Sequence, residues 1–573
     1  MKLRSFFYAL IAGVLVLLLI GAGGFYWLTS RSPLTLLRGG ETANPAAAIF
    51  VPKQAPAMVS LLVNPDRLEA FRLLAAAPGE RRRSRAEINQ IKQSLLSNAG
   101  LDYRQDIQPW LADEITWAVT TPDIDRDRQN GSQPGYLLVA TTKDAKKSRE
   151  FLQLFWQKQA SAGTDLVFEQ YKGVKLIYNN QHSKIKSKSD PLPFLASAVV
   201  GDRFVVFANN PKVLRDAINN VQAPNLSLND SGSYQLALEK LKEPHIGLTF
   251  VNLPTTAAWL GNEQVSSTQE ASRLYENLAI ALSLNRQGLL AETSLLAAAD
   301  QKLAATTPAL SEPVGALQYL PAKSAIAAAG SNLNQLWNQL SAEMQSDKTL
   351  SNLLKQSLAS LQDSWGIDLP QDIFSWVQGE YALGMLPRPD RSEPDWIFVA
   401  EKATGATVEA SIEHLDAVAK QRGFSVGSLP LENQAITGWT KLSAVPVGQD
   451  QSVIRLEAQV QGVHTTAGKY EIFASSVEAM TQALKAPQNS LVASNNFKMA
   501  IAPVPAPNDG YLYLDWYSTQ PILERQLPIF QVAELIGKPL FSHLRSLTVS
   551  SYGSDTGVQR NKLFFRLGSA KNQ

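Results

Sequence analysis

The chain contains no cysteine among its 573 residues, which excludes disulfides, thiolate nucleophiles and cysteine-ligated metal centres. Neither sign of charge is in excess: 53 lysines and arginines face 51 aspartates and glutamates, unlike the strongly basic balance of a dedicated nucleic-acid-binding protein. The five histidines are scattered, with no H-E-x-x-H pair. Phosphate loops of the G-x-x-x-x-G-K-[ST] type and G-x-S-x-G nucleophile elbows are also missing. We therefore predict a non-enzymatic protein that uses no cofactor and binds no nucleic acid, with a hydrolase of unrecognised spacing as an alternative.

Long apolar runs are missing as well, with one N-terminal exception. Phe6 to Leu28 holds 23 residues without a charge, enough at about 1.5 Å per residue to span a hydrocarbon core of about 30 Å. The run is too long for the core of a cleaved signal peptide and ends in aromatic residues that suit a membrane interface. The sequence predicts a signal anchor over residues 1–28, with most of the chain on the periplasmic or lumenal side of a plasma or thylakoid membrane. Residues 29–45 are predicted to be a flexible tether.

The rest of the chain resembles itself at a separation of 266 residues. Gly100 to Glu114 aligns without a gap to Gly366 to Glu380, and residues 202–208 return as residues 468–474 at the same separation. Two further matches lie in the same order along the chain. We predict a tandem duplication of one domain, with a first copy over residues 46–300, a linker over 301–312 and a second copy over 313–573.

Each predicted copy mixes strand-like runs with amphipathic helical patterns. Each also ends in two strand-like runs around a turn, at 280–284 with 289–295 and at 547–552 with 562–567. Such paired runs favour antiparallel pairing, and no regular β-α-β alternation supports a doubly wound parallel sheet. The sequence therefore predicts an α+β class with a mainly antiparallel sheet.

The repeated segment carries carboxylates that could bind Ca²⁺ or Mg²⁺. These metal candidates are Asp102, Asp106, Glu114, Asp368, Asp372 and Glu380. Their spacing does not match an EF-hand loop. Asp106 and Asp372 each precede an isoleucine, where an aspartate can accept the free amide hydrogens of a starting helix. We favour this capping role over metal binding and predict that Trp110 and Trp376 anchor the short helix against the sheet.

Clusters of basic residues occur in the first copy and have no counterpart in the second. They are Arg81, Arg82, Arg83, Arg85, Lys184, Lys186 and Lys188. Short basic runs can bind anionic lipid headgroups. Because the first copy is nearly balanced in charge overall, we favour a solvated helix start and a mobile loop.

The segment from Gly100 to Glu114 reads G-L-D-x-x-x-D-I-x-P-W-L-x-D-E and follows a single N-terminal span. It resembles a bacterial, mainly cyanobacterial family, the domain of unknown function 3352, over almost the whole region after the tether. The resemblance implies an envelope or thylakoid-associated protein and supplies no catalytic residue. The second copy has Ser375 in place of Pro109 and Gly379 in place of Asp113, so we expect its helix start to be looser.

Two functions of different classes fit these observations. The leading hypothesis is a membrane-anchored scaffold or assembly factor that binds another protein, because duplicated domains on one tether gain avidity. The alternative is a module that binds lipid or a cell-wall fragment in an apolar cleft between sheet and helices. A deep apolar pocket would favour the alternative, whereas an exposed apolar patch would favour protein contacts.

Overall fold

A computed structural model describes most of the chain after the tether. The described residues are 44–66, 101–127, 132–180, 195–241, 244–261, 274–285, 287–299, 301, 303, 305–346, 368–388, 394–402, 406–431, 434–447, 453–526, 541, 543–555 and 557–568. The predicted signal anchor and nearly all of the tether lie outside this set. Within it, no helix is long and apolar enough to cross a membrane.

Antiparallel strands form the centre of the molecule. They are β1 (Ala57–Leu61), β2 (Leu111–Thr121), β3 (Gly135–Thr142), β4 (Leu166–Tyr171), β5 (Val174–Asn179), β6 (Ala196–Val200), β7 (Phe204–Ala208), β8 (Gly247–Asn252), β9 (Tyr275–Asn285), β10 (Gly288–Ala297), β11 (Ile326–Gly330), β12 (Tyr381–Leu386), β13 (Asp395–Glu401), β14 (Ser425–Leu431), β15 (Gln434–Val447), β16 (Val453–Ala467), β17 (Tyr470–Ala474), β18 (Gly510–Asp515), β19 (Leu544–Asp555) and β20 (Val558–Leu567). All 20 belong to one sheet. The predicted α+β class with a large antiparallel sheet is confirmed.

Helices cover both faces of this sheet. They are α1 (Ala145–Ser161), α2 (Pro211–Gln222), α3 (Gly232–Lys240), α4 (Leu253–Gly261), α5 (Leu333–Ser346), α6 (Ala406–Gln421), α7 (Val477–Lys485), α8 (Asn495–Ile501) and α9 (Trp516–Gln526). Alternate strand residues point to opposite faces. Met58 of β1 therefore packs with Leu214 of α2 in one core, whereas its neighbour Val59 joins a different core that includes Trp516 of α9.

The strands of the two halves pair in the same order. From one edge the sheet runs β4-β5-β6-β7-β3-β2-β1-β8-β9-β10 and then β20-β19-β18-β11-β12-β13-β17-β16-β15-β14. The pairing in the first ten strands is therefore repeated in the second ten. For example, β1 lies between β2 and β8, and β11 lies between β12 and β18. The halves meet where β10 pairs with β20, from Gly288 opposite Arg566 to Leu296 opposite Val558.

The segment predicted as a linker contacts the second half. Thr306 forms a β-bridge with Ser554, and Leu310 forms one with Asn508. The sheet is continuous across the junction of β10 and β20. The division into separate domains at residues 301–312 stays a prediction.

Candidate functional site

The repeated Gly-x-Asp segment folds as a single π-helical turn just before the sheet. In the first half the turn covers Tyr103–Ile107, and the Asp102 carboxylate accepts hydrogen bonds from the backbone N–H groups of Arg104 and Gln105, both at 2.9 Å. In return, the Asp102 N–H donates to Asp106 Oδ2 at 2.8 Å. The two aspartates thus satisfy the free amides of the turn reciprocally, as in a helix capping box.

The N-cap residue differs from the one predicted. Asp102 and Asp368 occupy the N-cap positions, and Asp106 and Asp372 lie inside the turn, where each accepts the N–H of its partner aspartate. The prediction of Asp106 and Asp372 as N-caps was therefore wrong. An N-cap carboxylate reaches the amides two and three residues ahead, which the position of Asp102 allows.

The second half has a weaker version of this cap. Among the described backbone N–H groups of this turn, Asp368 accepts that of Gln371, at 3.4 Å, in place of the two bonds in the first half. The reason is Pro370, which stands where the first half has Arg104 and has no N–H to donate. The start of the second turn has fewer bonds, as expected, but the cause is this proline and not the substitutions at positions 375 and 379.

A tryptophan connects each turn to the core. Trp110 Nε1 donates to the Asp106 carbonyl at 2.7 Å, and Trp376 Nε1 donates to the Asp372 carbonyl at 2.8 Å. Both indoles are buried, and Trp110 stacks on Phe151 of α1 with ring centroids 5.3 Å apart. These contacts agree with the predicted anchoring role.

The structure separates the glutamates of the motif from the aspartates. Glu114 is buried and accepts hydrogen bonds from the N–H groups of Ala46 and Ala47 at 2.9 and 2.8 Å. Burial raises the pKa of this carboxyl, against the lowering effect of those bonds. Glu380 accepts a bond from the Tyr470 hydroxyl at 2.6 Å. Within the described ranges, no group of three or more potential ligand side chains is arranged to hold a metal ion.

A shallow groove lies between the first turn and α1. Its volume is about 250 Å³, and its floor includes Trp110, Phe151 and Phe155. Charged residues of both signs border it, namely Asp106, Lys147, Glu150 and Lys158. Leu154 also lines the groove, although 58% of its surface is exposed. Because the three aromatic side chains are buried, the groove offers an accessible aliphatic side chain and little exposed aromatic surface.

The matching turn of the second half has a different neighbour. His414 of α6 places Nε2 3.3 Å from Asp372 Oδ1, and the His414 side chain is 60% exposed. The turn of the second half therefore has a histidine beside Asp372, whereas Lys147, Glu150 and Lys158 of α1 border the groove at the first turn. The two halves differ in the surface that they present at the same motif.

A buried polar cluster in the second half was missed by the sequence reasoning. His464 is 6% exposed, and its Nδ1 and Nε2 lie 2.9 Å from Glu471 Oε1 and 3.2 Å from Asp416 Oδ1. Trp439 Nε1 also donates to Asp416 Oδ1 at 2.7 Å. The His464 ring therefore lies between two carboxylates in the interior of the second half.

Only part of this cluster could have been found in the sequence. His464 and Glu471 flank the turn at Gly468 between β16 and β17, so the hairpin pattern brings them close. Asp416 comes from α6, 48 residues earlier, and only tertiary packing places it there. The basic candidates at 81–85 and 184–188 lie outside the described residues.

Comparison with known proteins gives one extended match. A family model described as "Protein of unknown function (DUF3352)" matches residues 10–567. Among solved structures, the chain is similar to crystal form I of TP0453, with 9% identity and a TM-score of 0.23 over 46% of this chain and 82% of that chain. Crystal form III of TP0453 gives 8% identity and a TM-score of 0.20 over 45% and 83%. None of the curated proteins matches this chain.

Proposed function

The chain belongs to the DUF3352 family of proteins of unknown function, and from this premise we propose that it is a membrane-anchored, non-enzymatic protein that binds another protein. Residues 1–28 would be the signal anchor, because their uncharged run is long enough to span a bilayer. The rest of the chain would lie on the periplasmic or lumenal side of a bacterial plasma or thylakoid membrane.

We further propose that the two halves arose by tandem duplication. The ordered sequence matches at 266 residues and the repeated order of strand pairing support this origin. After such a duplication, one sheet would carry two copies of the same turn, each with different residues at its surface. One copy of the turn would then bind a partner, and the other would only stabilise the fold.

The groove beside α1 is the observation that carries the proposed function. Its volume of about 250 Å³ is smaller than the roughly 300–1,000 Å³ of small-molecule pockets, which gives less support to the ligand-binding alternative. An exposed leucine beside an open groove suits the side chains of a protein partner, which can use a shallow surface. The border of mixed charge would orient that partner.

Affinity capture of the full-length protein from detergent-solubilised native membranes tests this proposal. A photo-reactive amino acid in place of Leu154 should cross-link to a protein that mass spectrometry identifies reproducibly. The matched control carries the same amino acid in place of Leu226, which is 50% exposed and lies outside the groove. The N-terminal span alone, carrying the same affinity tag, controls for capture by the membrane anchor.

The outcomes separate the alternatives. A partner that cross-links at position 154 and not at 226, and that Leu154→Lys releases, would support the scaffold. Equal cross-linking at both positions would contradict the groove as the binding surface. Lipid or glycan that co-purifies without a reproducible protein partner would favour the ligand-binding module.

A further inference from the structure

A titratable contact joins helix α6 to the sheet of the second half. Asp416 Oδ1 of α6 lies 3.2 Å from Nε2 of His464 on β16, and His464 Nδ1 lies 2.9 Å from Glu471 Oε1 on β17. Because β16 and β17 are paired neighbours, the contact with Glu471 lies within one hairpin. The contact with Asp416 is the one that connects the helix to the strand.

The other bonds of the two carboxylates indicate which form of the imidazole fits between them. Asp416 Oδ1 also accepts Trp439 Nε1 at 2.7 Å, and Glu471 Oε2 accepts the Thr466 hydroxyl at 2.6 Å. Among the described residues, neither carboxylate forms an ion pair with a lysine or arginine. A neutral imidazole has one N–H to donate, whereas the imidazolium ion has two. Only protonated His464 therefore donates to both carboxylates.

Aromatic rings form the rest of the surroundings of His464. The ring of Trp439 on β15 lies 5.8 Å from it, and the ring of Phe473 on β17 lies 5.4 Å from it, both measured between centroids. His464 is 6% exposed. The charged groups that bond to its ring in the described structure are thus the carboxylates of α6 and β17.

The first half makes the same helix-to-strand contact with neutral groups. Trp156 Nε1 of α1 donates to Ser197 Oγ of β6 at 2.7 Å. Ser197 lies opposite Phe207 of β7, as His464 lies opposite Phe473 of β17. Phe207 and Phe473 stand at the separation of 266 residues that relates the two halves. The contact is therefore sensitive to protons in the second half alone.

The apolar anchorage of α6 is also smaller than that of α1. Among the described side chains, α1 buries three aromatic residues and a leucine, whereas α6 buries only aliphatic residues, namely Val408, Leu415 and Ala419. A buried aromatic side chain contributes about 150–250 Å² of contact area. The polar contact at His464 therefore matters more for the position of α6 than the matching contact matters for α1.

We propose that α6 is a proton-controlled element, which is docked on β16 while His464 is protonated and loosens when His464 loses its proton. Deprotonation leaves a ring nitrogen lone pair facing a carboxylate oxygen, so one of the two contacts is lost. Strand pairing holds Glu471 beside His464, and the bond to Asp416 is the longer one, so the helix is the part that moves. The docked state holds one more proton than the loosened state, so a rise in pH favours loosening.

Hydrogen–deuterium exchange of the full-length protein in detergent, followed by mass spectrometry, tests this inference. Labelling at about pH 5.5 and about pH 8 covers the range in which histidine changes charge. Exchange times are scaled for the intrinsic pH dependence of amide exchange, and peptides from α6 are compared with peptides from α1. Circular dichroism verifies that each variant is folded.

Two variants remove the proton-dependent contact, and a third is the matched control. His464→Gln replaces the titrating ring, and Asp416→Asn removes the carboxylate on α6. His414→Gln is the control, because His414 of α6 also lies beside a carboxylate, at 3.3 Å from Asp372 Oδ1, but is 60% exposed. Exposed ion pairs contribute little, so this change should leave the pH dependence in place.

We expect the protection of α6 amides to be about tenfold lower at the higher pH, as for the loss of one hydrogen bond to a charged group, and that of α1 to stay unchanged. The difference between the two pH values should disappear in His464→Gln and Asp416→Asn. In the unmodified protein, protection of α6 that does not change with pH, or an equal loss in α1 and α6, would overturn the inference whether or not the variants fold. A pH dependence that persists in His464→Gln would also overturn it.

Discussion

Asp102 illustrates how one side chain can define the start of a structural element. Its carboxylate accepts two backbone bonds at 2.9 Å, whereas Asp368 accepts the Gln371 N–H at 3.4 Å. We expect Asp102→Ala to lower the free energy of unfolding by about 1 kcal/mol, and Asp368→Ala to lower it by less. Urea unfolding of both variants checks this order. Asp102→Asn keeps an acceptor and should restore most of the loss. A larger effect at Asp368 would contradict the capping interpretation.

A second residue-scale prediction concerns an ion pair between β4 and α2. Arg215 donates to both carboxylate oxygens of Glu169, and these bonds hold the pKa of Glu169 below its usual range. A lowered carboxyl pKa stabilises the fold above the unfolded value of about 4.5, and that contribution is lost as the pH falls through the folded-state value.

Glu169→Gln tests this pH dependence. The variant should lose up to about 1 kcal/mol of stability near pH 7, in the range of partly exposed ion pairs. The difference from the unmodified protein should shrink toward zero at acidic pH, since Glu169 is then protonated in both states. Denaturant unfolding as a function of pH measures it. A difference that does not change with pH would show that the ion pair is not its cause.

At the scale of elements, each π-helical turn depends on its tryptophan. Trp110 is 2% exposed and Trp376 is 6% exposed. We expect Trp110→Ala or Trp376→Ala to lower the free energy of unfolding by about 3–5 kcal/mol, because each change leaves a large cavity under the turn. Unfolding followed by circular dichroism is the measurement. Leu226→Ala, at a half-exposed position, should change stability by less than about 0.5 kcal/mol. Unchanged melting of both tryptophan variants would refute the anchoring role.

Much of the element scale was predictable from periodicity. The terminal hairpins at 280–295 and 547–567 correspond to β9 with β10 and β19 with β20, since their runs flank short turns. The N-cap positions were misassigned because aspartates four residues apart both suit a helix start, and only the geometry of the turn decides between them.

At the scale of the whole molecule, the two halves contact each other through an interface between β10 and β20. β10 and β20 pair along nine residues, and one core includes Ile280 of the first half with Trp516 and Phe565 of the second. We therefore expect the halves to stay together after the connecting chain is cut. A protease site inserted after Ala298 provides the cut. Co-elution of the two fragments in size-exclusion chromatography is the expected result. Separate elution in native buffer would contradict a stable interface between the two halves.

The sequence by itself determined the antiparallel α+β class, the existence of a repeated motif and its membership of a family, because these depend on local periodicity and on similarity along the chain. The tertiary structure decided what no local pattern contains. It placed Asp416 of α6 beside His464, set the Leu154 side chain at an open groove, and joined β10 to β20 in one sheet. Such contacts join residues far apart in the chain, and their formation depends on the packing of whole elements.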